Sequence, residues 1–387
     1  MREWRDIGLV GGWQVTASVC FYAIFAATAF VRTEFGVSRT LVGVAVTAAL
    51  LGYILLLFPA GAVVDAYGER LSMVGGLGAL ALAMVVVGLA PSFPLLLVAL
   101  VLVGGAYATA MPATNRAVVT AAPPGRRNLA MNVKQVGVTV GSGSGALLIT
   151  AAASRGDWRL GFLVAAVVAA VVAVAFGLGF EGEAGSGSLS LPDVRGLFGD
   201  PAYRTLVLSG LFFGATVFTT TGYVVLDMTE SVGAAAGVAG ATLALLQVTG
   251  SVGRLAGGYV ADRLPWSDAV ANARVLAVQA FLTAALFVAV TVVDAPIPAA
   301  ATFAVLGLFV LGFPGIYYGC LTAIVDEGEV GAATAGGQTT INAGGLVAPP
   351  LFGYLADTAG YDAGWLALAA VAVLGGLCVS RLALRRD

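Results

Sequence analysis

The chain contains 387 residues, of which 59% are hydrophobic and only 10% are charged, and its mean hydropathy is +0.96. Because a soluble domain carries about 25% charged residues, this composition excludes an ordinary soluble protein and indicates a membrane protein. The net charge of -2 and the absence of histidine give no support to nucleic-acid binding or to a histidine-based metal site.

Six apolar stretches in the first half of the chain are long enough to cross the roughly 30 Å hydrocarbon core of a bilayer as helices. They cover approximately residues 7–31, 41–64, 71–90, 95–121, 129–153 and 160–180. No small-residue cleavage site stands out in the first stretch, which is therefore predicted to be a retained span and not a signal peptide.

A single stretch rich in Gly, Ser and charged residues, 181–204, divides the chain almost in half and is predicted to be a linker. Six more apolar stretches follow it, at approximately 205–226, 234–261, 275–293, 299–325, 332–356 and 365–382. The sequence therefore predicts an all-α membrane protein of twelve transmembrane helices. Its parts are an N-terminal six-helix bundle in residues 1–180, a cytoplasmic linker in 181–204 and a C-terminal six-helix bundle in 205–387.

The distribution of basic residues predicts the orientation of these spans. If the N-terminus is cytoplasmic, twelve arginines lie on the cytoplasmic side. The other side then carries only four, which are Arg32, Arg39, Arg155 and Arg159. The sequence thus predicts a multi-pass protein of the cell membrane with both termini in the cytoplasm. The three remaining basic residues, Arg116, Lys134 and Arg254, fall inside apolar spans.

Two landmarks recur in both halves of the chain. The stretch "PAGAVVDAYGERL" ends the second span and "LAGGYVADRLPW" ends the eighth, and the aspartates of the two stretches are 197 residues apart. Independently, "KQVGVTVGS" of the fifth span aligns with "GQTTINAGG" of the eleventh, which pairs Gln135 with Gln338 and Gly141 with Gly344 at an offset of 203 residues. Two landmarks at nearly the same offset indicate a duplicated six-helix unit, a common plan of transporters.

These landmarks resemble those of the major facilitator superfamily of secondary transporters. The signature after the second helix in that family reads G-x-x-x-D-[RK]-x-G-[RK]-[RK], and this chain departs from it at Ala66 and Glu69, where the family has a basic residue. The matching residues are Gly61, Asp65, Gly68 and Arg70, and a second copy keeps Gly258, Asp262 and Arg263. "DWRLGF" (157–162) and "PPLFGYLADTAGY" (349–361) are similar to the family's entry to the sixth helix and its eleventh-helix ending. The resemblance covers essentially the whole chain and implies the family's fold of two pseudo-symmetric six-helix bundles.

The resemblance also implies that the loop motif belongs to a cytoplasmic gate. The motif's glycines permit close helix approach, and its aspartate can accept hydrogen bonds from a helix N-terminus or an arginine. Asp65 is expected to latch the gate to the start of the eleventh helix in the outward-open state; the alternative is a merely solvated loop aspartate. Arg254, two turns before Asp262, is expected to belong to the same gate, with snorkelling to the membrane surface as the alternative.

Two cations in consecutive spans, Arg116 and Lys134, are the first candidates for solute binding. A charged side chain at mid-bilayer costs about 2.5–3.5 kcal/mol on insertion scales, and both residues lie roughly 10 Å from the cytoplasmic ends of their helices. In the family these helices line the central cavity. The pair is therefore expected to form an electropositive site for a carboxylate or similar anion, with Asn115 and Gln135 beside it. The alternative is that both side chains snorkel to the cytoplasmic headgroups.

Uncharged polar residues on the helices that line the cavity in the family complete the candidate site, although each could equally hydrogen-bond a neighbouring helix. They are Gln14, Tyr22, Tyr107, Gln247, Tyr317, Gln338 and Asn342, accompanied by Ser18, Thr216, Thr220, Tyr223 and Tyr318. All 21 acidic residues are assigned to tails, loops or helix ends, with Asp227 and Asp326 nearest to spans. No buried carboxylate is therefore predicted for proton coupling.

The sequence favours an alternating-access secondary transporter of a small anionic solute. The alternative is proton-coupled efflux of amphipathic compounds, which predicts a buried acid and a Gly-Pro ending in the fifth helix. That helix has instead Gly137, Gly141 and Gly145, whose spacing needs only close helix packing. An enzyme or sensor is not supported, because the motifs of nucleotide, metal and diphosphate sites are missing. The expected partners are a small-molecule solute and the lipid bilayer, with no cofactor, no metal, no nucleic acid and a monomeric state.

Overall fold

The computed structural model of the protein describes residues 2–122, 127–183, 185, 196–326 and 329–384. These residues form fourteen α-helices and one short 3-10 helix, and no strand occurs among them. The first seven helices are α1 (Arg2–Phe35), α2 (Arg39–Tyr67), α3 (Glu69–Gly88), α4 (Phe93–Tyr107), α5 (Ala110–Ala121), α6 (Arg127–Ala153) and α7 (Arg159–Gly179).

The second half begins with the 3-10 helix Gly196–Gly199 and continues with seven α-helices. They are α8 (Pro201–Glu230), α9 (Ala236–Ala261), α10 (Asp268–Val290), α11 (Pro296–Val310), α12 (Phe313–Thr322), α13 (Val330–Ala359) and α14 (Tyr361–Ala383). Asp200 begins α8 as its N-cap, because its carboxylate accepts a hydrogen bond from the backbone N–H of Ala202.

Two of the membrane crossings are each built from a pair of helices. The helices α4 and α5 together form the crossing Phe93–Ala121, and α11 and α12 form Pro296–Thr322. Proline lies in the first turn of both α5 and α12, at Pro112 and Pro314, where its missing N–H removes no helical hydrogen bond.

Eleven helical segments of the described chain are long and apolar enough to cross a membrane. The remaining long helix is α13, which has 30 residues and carries Gln338, Asn342 and two consecutive prolines. With α13 the structure accounts for the twelve predicted spans, and the predicted all-α membrane fold is confirmed.

The chain divides into two compact units. Met1–Phe35 and Ala48–Leu191 form the N-terminal unit, and Gly36–Thr47 and Pro192–Asp387 form the C-terminal unit. The first nine residues of α2 therefore belong to the C-terminal unit, whereas the rest of this helix belongs to the N-terminal unit.

The predicted internal repeat is visible in the packing within each unit. A Cβ placed on Gly141 of α6 would lie 2.3 Å from the backbone oxygen of Val15 in α1. A Cβ placed on Gly344 of α13 would lie 1.9 Å from the backbone oxygen of Leu211 in α8. Both distances are too short for any side chain, so glycine is required for each helix pair to approach this closely. The interpretation of the fifth-span glycines as a packing face is confirmed.

Candidate functional site

A buried polar cluster joins α1, α4 and α5 in the N-terminal unit. The Gln14 amide nitrogen donates hydrogen bonds to Ser18 Oγ at 3.1 Å and to the Tyr107 hydroxyl at 3.4 Å. The hydroxyls of Ser18 and Tyr107 lie 3.3 Å apart, and Thr114 Oγ1 donates to Gln14 Oε1 at 3.3 Å. The structure thus brings together two predicted residues, Gln14 and Tyr107, on helices that are distant in sequence.

Lys134, the single lysine of the chain, is buried next to this cluster. Its side chain is only 4% exposed, and its Nζ donates to Asn115 Oδ1 at 2.9 Å. Asn115 follows Thr114 in α5, so consecutive residues of one helix contact Lys134 and the Gln14 cluster. Within the described part of the chain, no carboxylate lies at ion-pairing distance from this ammonium group. A buried cation with a neutral partner retains the capacity to bind an anion.

Aromatic rings flank the cluster on the α1 side. The rings of Phe21 and Tyr107 stack with their centroids 4.3 Å apart, and the ring of Tyr22 meets Tyr107 edge-on at 6.3 Å. Tyr53 of α2 lies 5.7 Å from Tyr107 between centroids. Predicted residue Tyr22 therefore lies in an aromatic group around the Tyr107 hydroxyl, and such rings provide flat apolar surface beside polar groups.

Arg116 contacts the α2–α3 loop motif in this structure. Its Nε lies 3.0 Å from Glu69 Oε2, and its Nη1 lies 3.5 Å from Asp65 Oδ1. Because neighbouring residues of a helix point about 100° apart, Asn115 reaches Lys134 while Arg116 reaches the loop. The sequence indicates the depth of Arg116 but not its direction. In this conformation its guanidinium pairs with acids of the predicted gate motif, and a role in solute binding stays a prediction.

Among the residues that the structure describes, two acidic side chains are buried, and the prediction that no carboxylate is buried is therefore wrong. Glu69 is fully buried at the first position of α3, a position at which a negative charge is favourable. Asp227 is 3% exposed in α8, with the side chain of Trp365 beside it. The apolar stretch predicted for this span stops at residue 226, but the helix continues to Glu230 and carries Asp227 inside the protein. Among the described residues, no three His, Cys, Asp or Glu side chains are grouped to hold a metal.

The gate-motif residues occupy varied environments. Arg70 donates to the backbone oxygen of Gly177, Arg254 donates from Nε to that of Leu311 at 2.9 Å, and Arg263 stacks over the ring of Tyr259. Asp262 is exposed. Gly68 of the motif, the residue before α3, has a positive φ of 84°, a conformation that favours glycine.

The first glycine of each motif copy does not pack closely in this conformation. Among the described residues, nothing lies within 4 Å of a Cβ placed on Gly61 or Gly258. These two glycines therefore make no close helix approach in this conformation, and their role in the gate stays a prediction. The close approaches occur instead at helix-interior glycines such as Gly141 and Gly344.

A polar strip lies between α12 and α13 in the C-terminal unit. The Tyr318 hydroxyl donates to Gln338 Oε1, and Gln338 Nε2 donates to Asn342 Oδ1 at 3.2 Å. Asn342 is 1% exposed, and its Nδ2 has no hydrogen-bond acceptor among the described residues. The structure therefore brings predicted residues Gln338 and Asn342 together, and an unsatisfied buried amide remains available to a ligand or water. The other two predicted residues of this half, Tyr317 and Gln247, are buried.

The two glutamines paired by the internal repeat have different surroundings. Gln338 belongs to the polar strip, whereas Gln135 is exposed on the face of α6 that also carries exposed Val133 and Val136. Gln135 lies one residue from buried Lys134 and points away from it, as adjacent helical residues do. The structure does not bring Gln135 to the Lys134–Asn115 contact.

Two ion-pair clusters were not predicted from the sequence, one in each unit. In the N-terminal unit Glu34 accepts hydrogen bonds from Trp158 Nε1 and from Arg159. In the C-terminal unit, which includes the start of α2, Arg39 binds Glu230, Asp357 and Tyr361. The sequence identified these arginines only as minority charges of one membrane side.

The comparisons with known proteins agree with this architecture. The family model described as Major Facilitator Superfamily matches residues 13–319 and 206–387. A hexuronate transporter of Bacillus subtilis (strain 168) is 22% identical, over 93% of this chain and 89% of its own length. An uncharacterized MFS-type transporter of Mycobacterium tuberculosis (strain CDC 1551 / Oshkosh) is 29% identical, over 81% of this chain and 70% of its own.

Solved structures show the same fold. A bacterial homolog of the human lysosomal transporter Spinster, in an inward-facing and occupied conformation, superimposes with a TM-score of 0.80 at 16% sequence identity, covering 97% of this chain and 96% of its own. The inward-facing and unoccupied form gives 0.78 at 16% identity, covering 99% and 95%. With the family model matched along the chain and the helices in place, this multi-pass membrane protein belongs to the major facilitator superfamily of transporters.

Proposed function

We propose that the chain is a secondary transporter that moves a small anionic solute across the cell membrane by alternating access, and that Lys134 is the cation that attracts the solute. Both termini lie in the cytoplasm in this proposal, as the arginine distribution predicts. Binding at a midplane site shifts the population of conformations and drives no chemistry.

The observation that carries the proposal is the burial of Lys134 beside a neutral partner. A charge in the interior is costly unless an opposite charge accompanies it. The Nζ of Lys134 contacts the Asn115 amide oxygen, and the described part of the chain supplies no carboxylate to this ammonium group. An anionic solute would supply the missing charge, and the hydrogen bond it accepts from Lys134 would be charge-assisted.

The neighbouring polar and aromatic residues support a solute of carbohydrate-acid type. Gln14, Ser18, Tyr107 and Thr114 present amide and hydroxyl groups beside the Lys134–Asn115 contact. Hydroxyl-rich solutes are recognised by such groups and by flat aromatic surface. A similar protein is named for hexuronate transport, and a hexuronate combines one carboxylate with several hydroxyls.

The test is uptake into proteoliposomes with a panel of glucuronate, lactate, phosphate, glucose and a lipophilic cation. We expect uptake of a carboxylate, and Lys134→Met should raise its KM by at least about tenfold because a charge-assisted hydrogen bond contributes about 1.5–3 kcal/mol. Lys134→Arg should retain part of the affinity. Arg155→Met is the matched control, since Arg155 is an exposed loop cation that donates to the backbone oxygen of Ala151, four residues before it.

Two results would contradict the proposal in different ways. Uptake limited to glucose or to the lipophilic cation would exclude an anionic solute. Uptake of an anion with an unchanged KM in Lys134→Met would keep the solute class and exclude the assigned residue.

The buried Asp227 gives one observation in favour of the second candidate, proton-coupled efflux of amphipathic compounds. A carboxylate buried in a membrane helix is a common proton carrier in transporters, and Asp227 is 3% exposed in α8. Efflux predicts transport of the lipophilic cation driven by a pH gradient and lost in Asp227→Asn. Anion uptake that is insensitive to a pH gradient would exclude this candidate.

A further inference from the structure

The start of α2 is held in the C-terminal unit by a carboxylate from the end of α13. Asp357 Oδ1 accepts from the backbone N–H of Arg39 at 3.0 Å. Its Oδ2 accepts from the backbone N–H of Thr40 at 2.9 Å and from the Thr40 hydroxyl at 2.7 Å. The first N–H groups of a helix have no partner within the helix, and a negative charge there also interacts favourably with the helix dipole. The Asp357 carboxylate therefore caps the N-terminus of α2, although it lies 317 residues after Thr40 in the sequence.

The side chain of Arg39 adds a second set of bonds to the same unit. Its Nη2 lies 2.8 Å from Glu230 Oε2, and its Nε lies 3.1 Å from the Tyr361 hydroxyl, which itself donates to Glu230 at 2.9 Å. The Tyr223 hydroxyl donates to the backbone oxygen of Arg39 at 2.6 Å. Backbone and side chain of one residue are thus bound by three helices, α8, α13 and α14.

Further along this segment, α2 and α13 approach each other closely. A Cβ placed on Gly43 would lie 2.4 Å from the backbone oxygen of Pro349, so α2 and α13 touch through their backbones. Thr47 Oγ1 donates to the backbone oxygen of Leu346 at 2.7 Å. Val42, Ala45 and Val46 of the same segment are buried as well. The attachment therefore combines apolar burial with ion pairs whose side chains are partly exposed, and partly exposed ion pairs can be exchanged for water at low cost.

The sequence around Asp357 repeats the spacing of the α2–α3 loop motif. Gly353, Asp357 and Gly360 follow the pattern G-x-x-x-D-x-x-G, which is also the pattern that includes Asp65 and Gly68. The backbones agree as well, since Gly68 has φ 84° and ψ 162° and Gly360 has φ 89° and ψ 167°. Each of these two glycines separates two consecutive helices. The α13–α14 connection is thus a third copy of the motif, and its aspartate caps a helix.

We propose that Asp357, Glu230 and Arg39 form a reversible clasp, which holds residues 36–47 on the C-terminal unit in this conformation and releases them in another conformation of the transport cycle. The inference rests on the transporter family and not on the anionic solute or on Lys134. Asp357 and Glu230 are positioning residues in this role, because they act on the start of α2 and touch no solute.

Hydrogen–deuterium exchange of the full-length protein in nanodiscs tests the clasp without any solute. Asp357→Asn removes the charge of the cap, so the peptide covering residues 36–47 should exchange about tenfold faster or more than in the wild type, as expected for the loss of charge-assisted bonds. Arg39→Gln should act in the same direction, and Arg39→Lys should fall between. Asp294→Asn is the matched control, because Asp294 is an exposed acid in the loop between α10 and α11.

A disulfide tests the release. Thr40→Cys and Asp357→Cys, combined with replacement of the three native cysteines by alanine, place two thiols where the wild type has a 2.7 Å hydrogen bond. After oxidation with copper phenanthroline, the same peptide should exchange more slowly than in the reduced protein. The clasp is overturned if Asp357→Asn and the wild type exchange at the same rate. Release is overturned if the oxidised and reduced proteins exchange at the same rate, whatever the outcome of the uptake panel.

Discussion

Each unit places a glutamate at the end of its first long helix, and each glutamate binds an aromatic side chain and an arginine. Glu34 lies one residue before the end of α1 and accepts from Trp158 and Arg159. Glu230 ends α8 and accepts from Tyr361 and Arg39. Glu230 follows Glu34 by 196 residues and Tyr361 follows Trp158 by 203, which agree with the offsets of the sequence repeat. The two clusters are therefore equivalent positions of one duplicated design.

The two clusters differ in the origin of the arginine. Arg159 is the first residue of α7 and directly follows Trp158, whereas the position at the same offset in the C-terminal unit is the acidic residue Asp362. The C-terminal unit therefore has no local arginine at this position, and Arg39 of α2 supplies the guanidinium. The Glu34–Arg159 pair lies within one repeat and is part of the structure of that repeat. Arg39 instead belongs to a helix that continues into the other unit, so it can leave Glu230 without unfolding the C-terminal repeat.

The largest expected effect comes from locking the C-terminal cluster. Oxidation of the Thr40→Cys/Asp357→Cys protein should reduce uptake of the wild-type solute to the level of empty liposomes, because the start of α2 can no longer leave the C-terminal unit. Dithiothreitol should restore uptake. The measurement is the initial uptake rate before and after reduction, with each single-cysteine variant as control. Normal uptake by fully cross-linked protein would show that transport does not require this release.

Breaking the N-terminal cluster should destabilise the protein more than breaking its counterpart. Arg159 bonds Glu34 and the backbone oxygens of Gly88 and Ala90. We expect Arg159→Gln to lower the free energy of unfolding by about 1–3 kcal/mol, given the strength of bonds to charged groups and the partial exposure of Glu34. Thermal unfolding followed by tryptophan fluorescence should show a larger loss for Arg159→Gln than for Arg39→Gln. Equal losses would remove the distinction between a structural pair and a releasable one.

Restoring a local arginine should weaken the clasp. Asp362→Arg places a guanidinium at the position equivalent to Arg159, where it can compete with Arg39 for Glu230. Because partly exposed ion pairs contribute about 0.2–1 kcal/mol, exchange of residues 36–47 should rise by up to about fivefold. Asp294→Arg adds the same charge change in an exposed loop and controls for net charge. Unchanged exchange in Asp362→Arg would show that the equivalence of the two positions does not extend to their chemistry.

The fold and part of the candidate site could be predicted because their signals are local. Apolar length defines the spans, and the spacing of glycine and aspartate defines the repeat. The depth of Lys134 and its neighbour Asn115 follow from position along the chain, but the direction of Arg116 depends on the rotation of α5, which position alone does not determine. Asp227 was misplaced because a helix can continue past the end of an apolar stretch.

The clasp was missed for a different physical reason. The bond between Thr40 and Asp357 joins residues 317 positions apart, and no local pattern marks the partner of an N-terminal helix turn. A signal was nevertheless present, because "GYLADTAG" repeats the spacing of the loop motif around Asp65. Within that spacing Asp357 occupies the position of Asp65, the residue expected to accept hydrogen bonds from a helix N-terminus or an arginine.

The smallest expected effect distinguishes the two glutamines that the repeat pairs. Gln338→Leu leaves the Tyr318 hydroxyl without its acceptor and removes a partner of buried Asn342, so the free energy of unfolding should fall by about 1–3 kcal/mol. Gln135→Leu changes an exposed residue on a face that already carries exposed valines, and its effect should stay within about 0.5 kcal/mol. Thermal unfolding of both variants measures the difference. A loss as large in Gln135→Leu as in Gln338→Leu would mean that Gln135 has a buried partner in another conformation. The two units would then use this repeat position alike, and the difference between them would be limited to the origin of the arginine in each glutamate cluster.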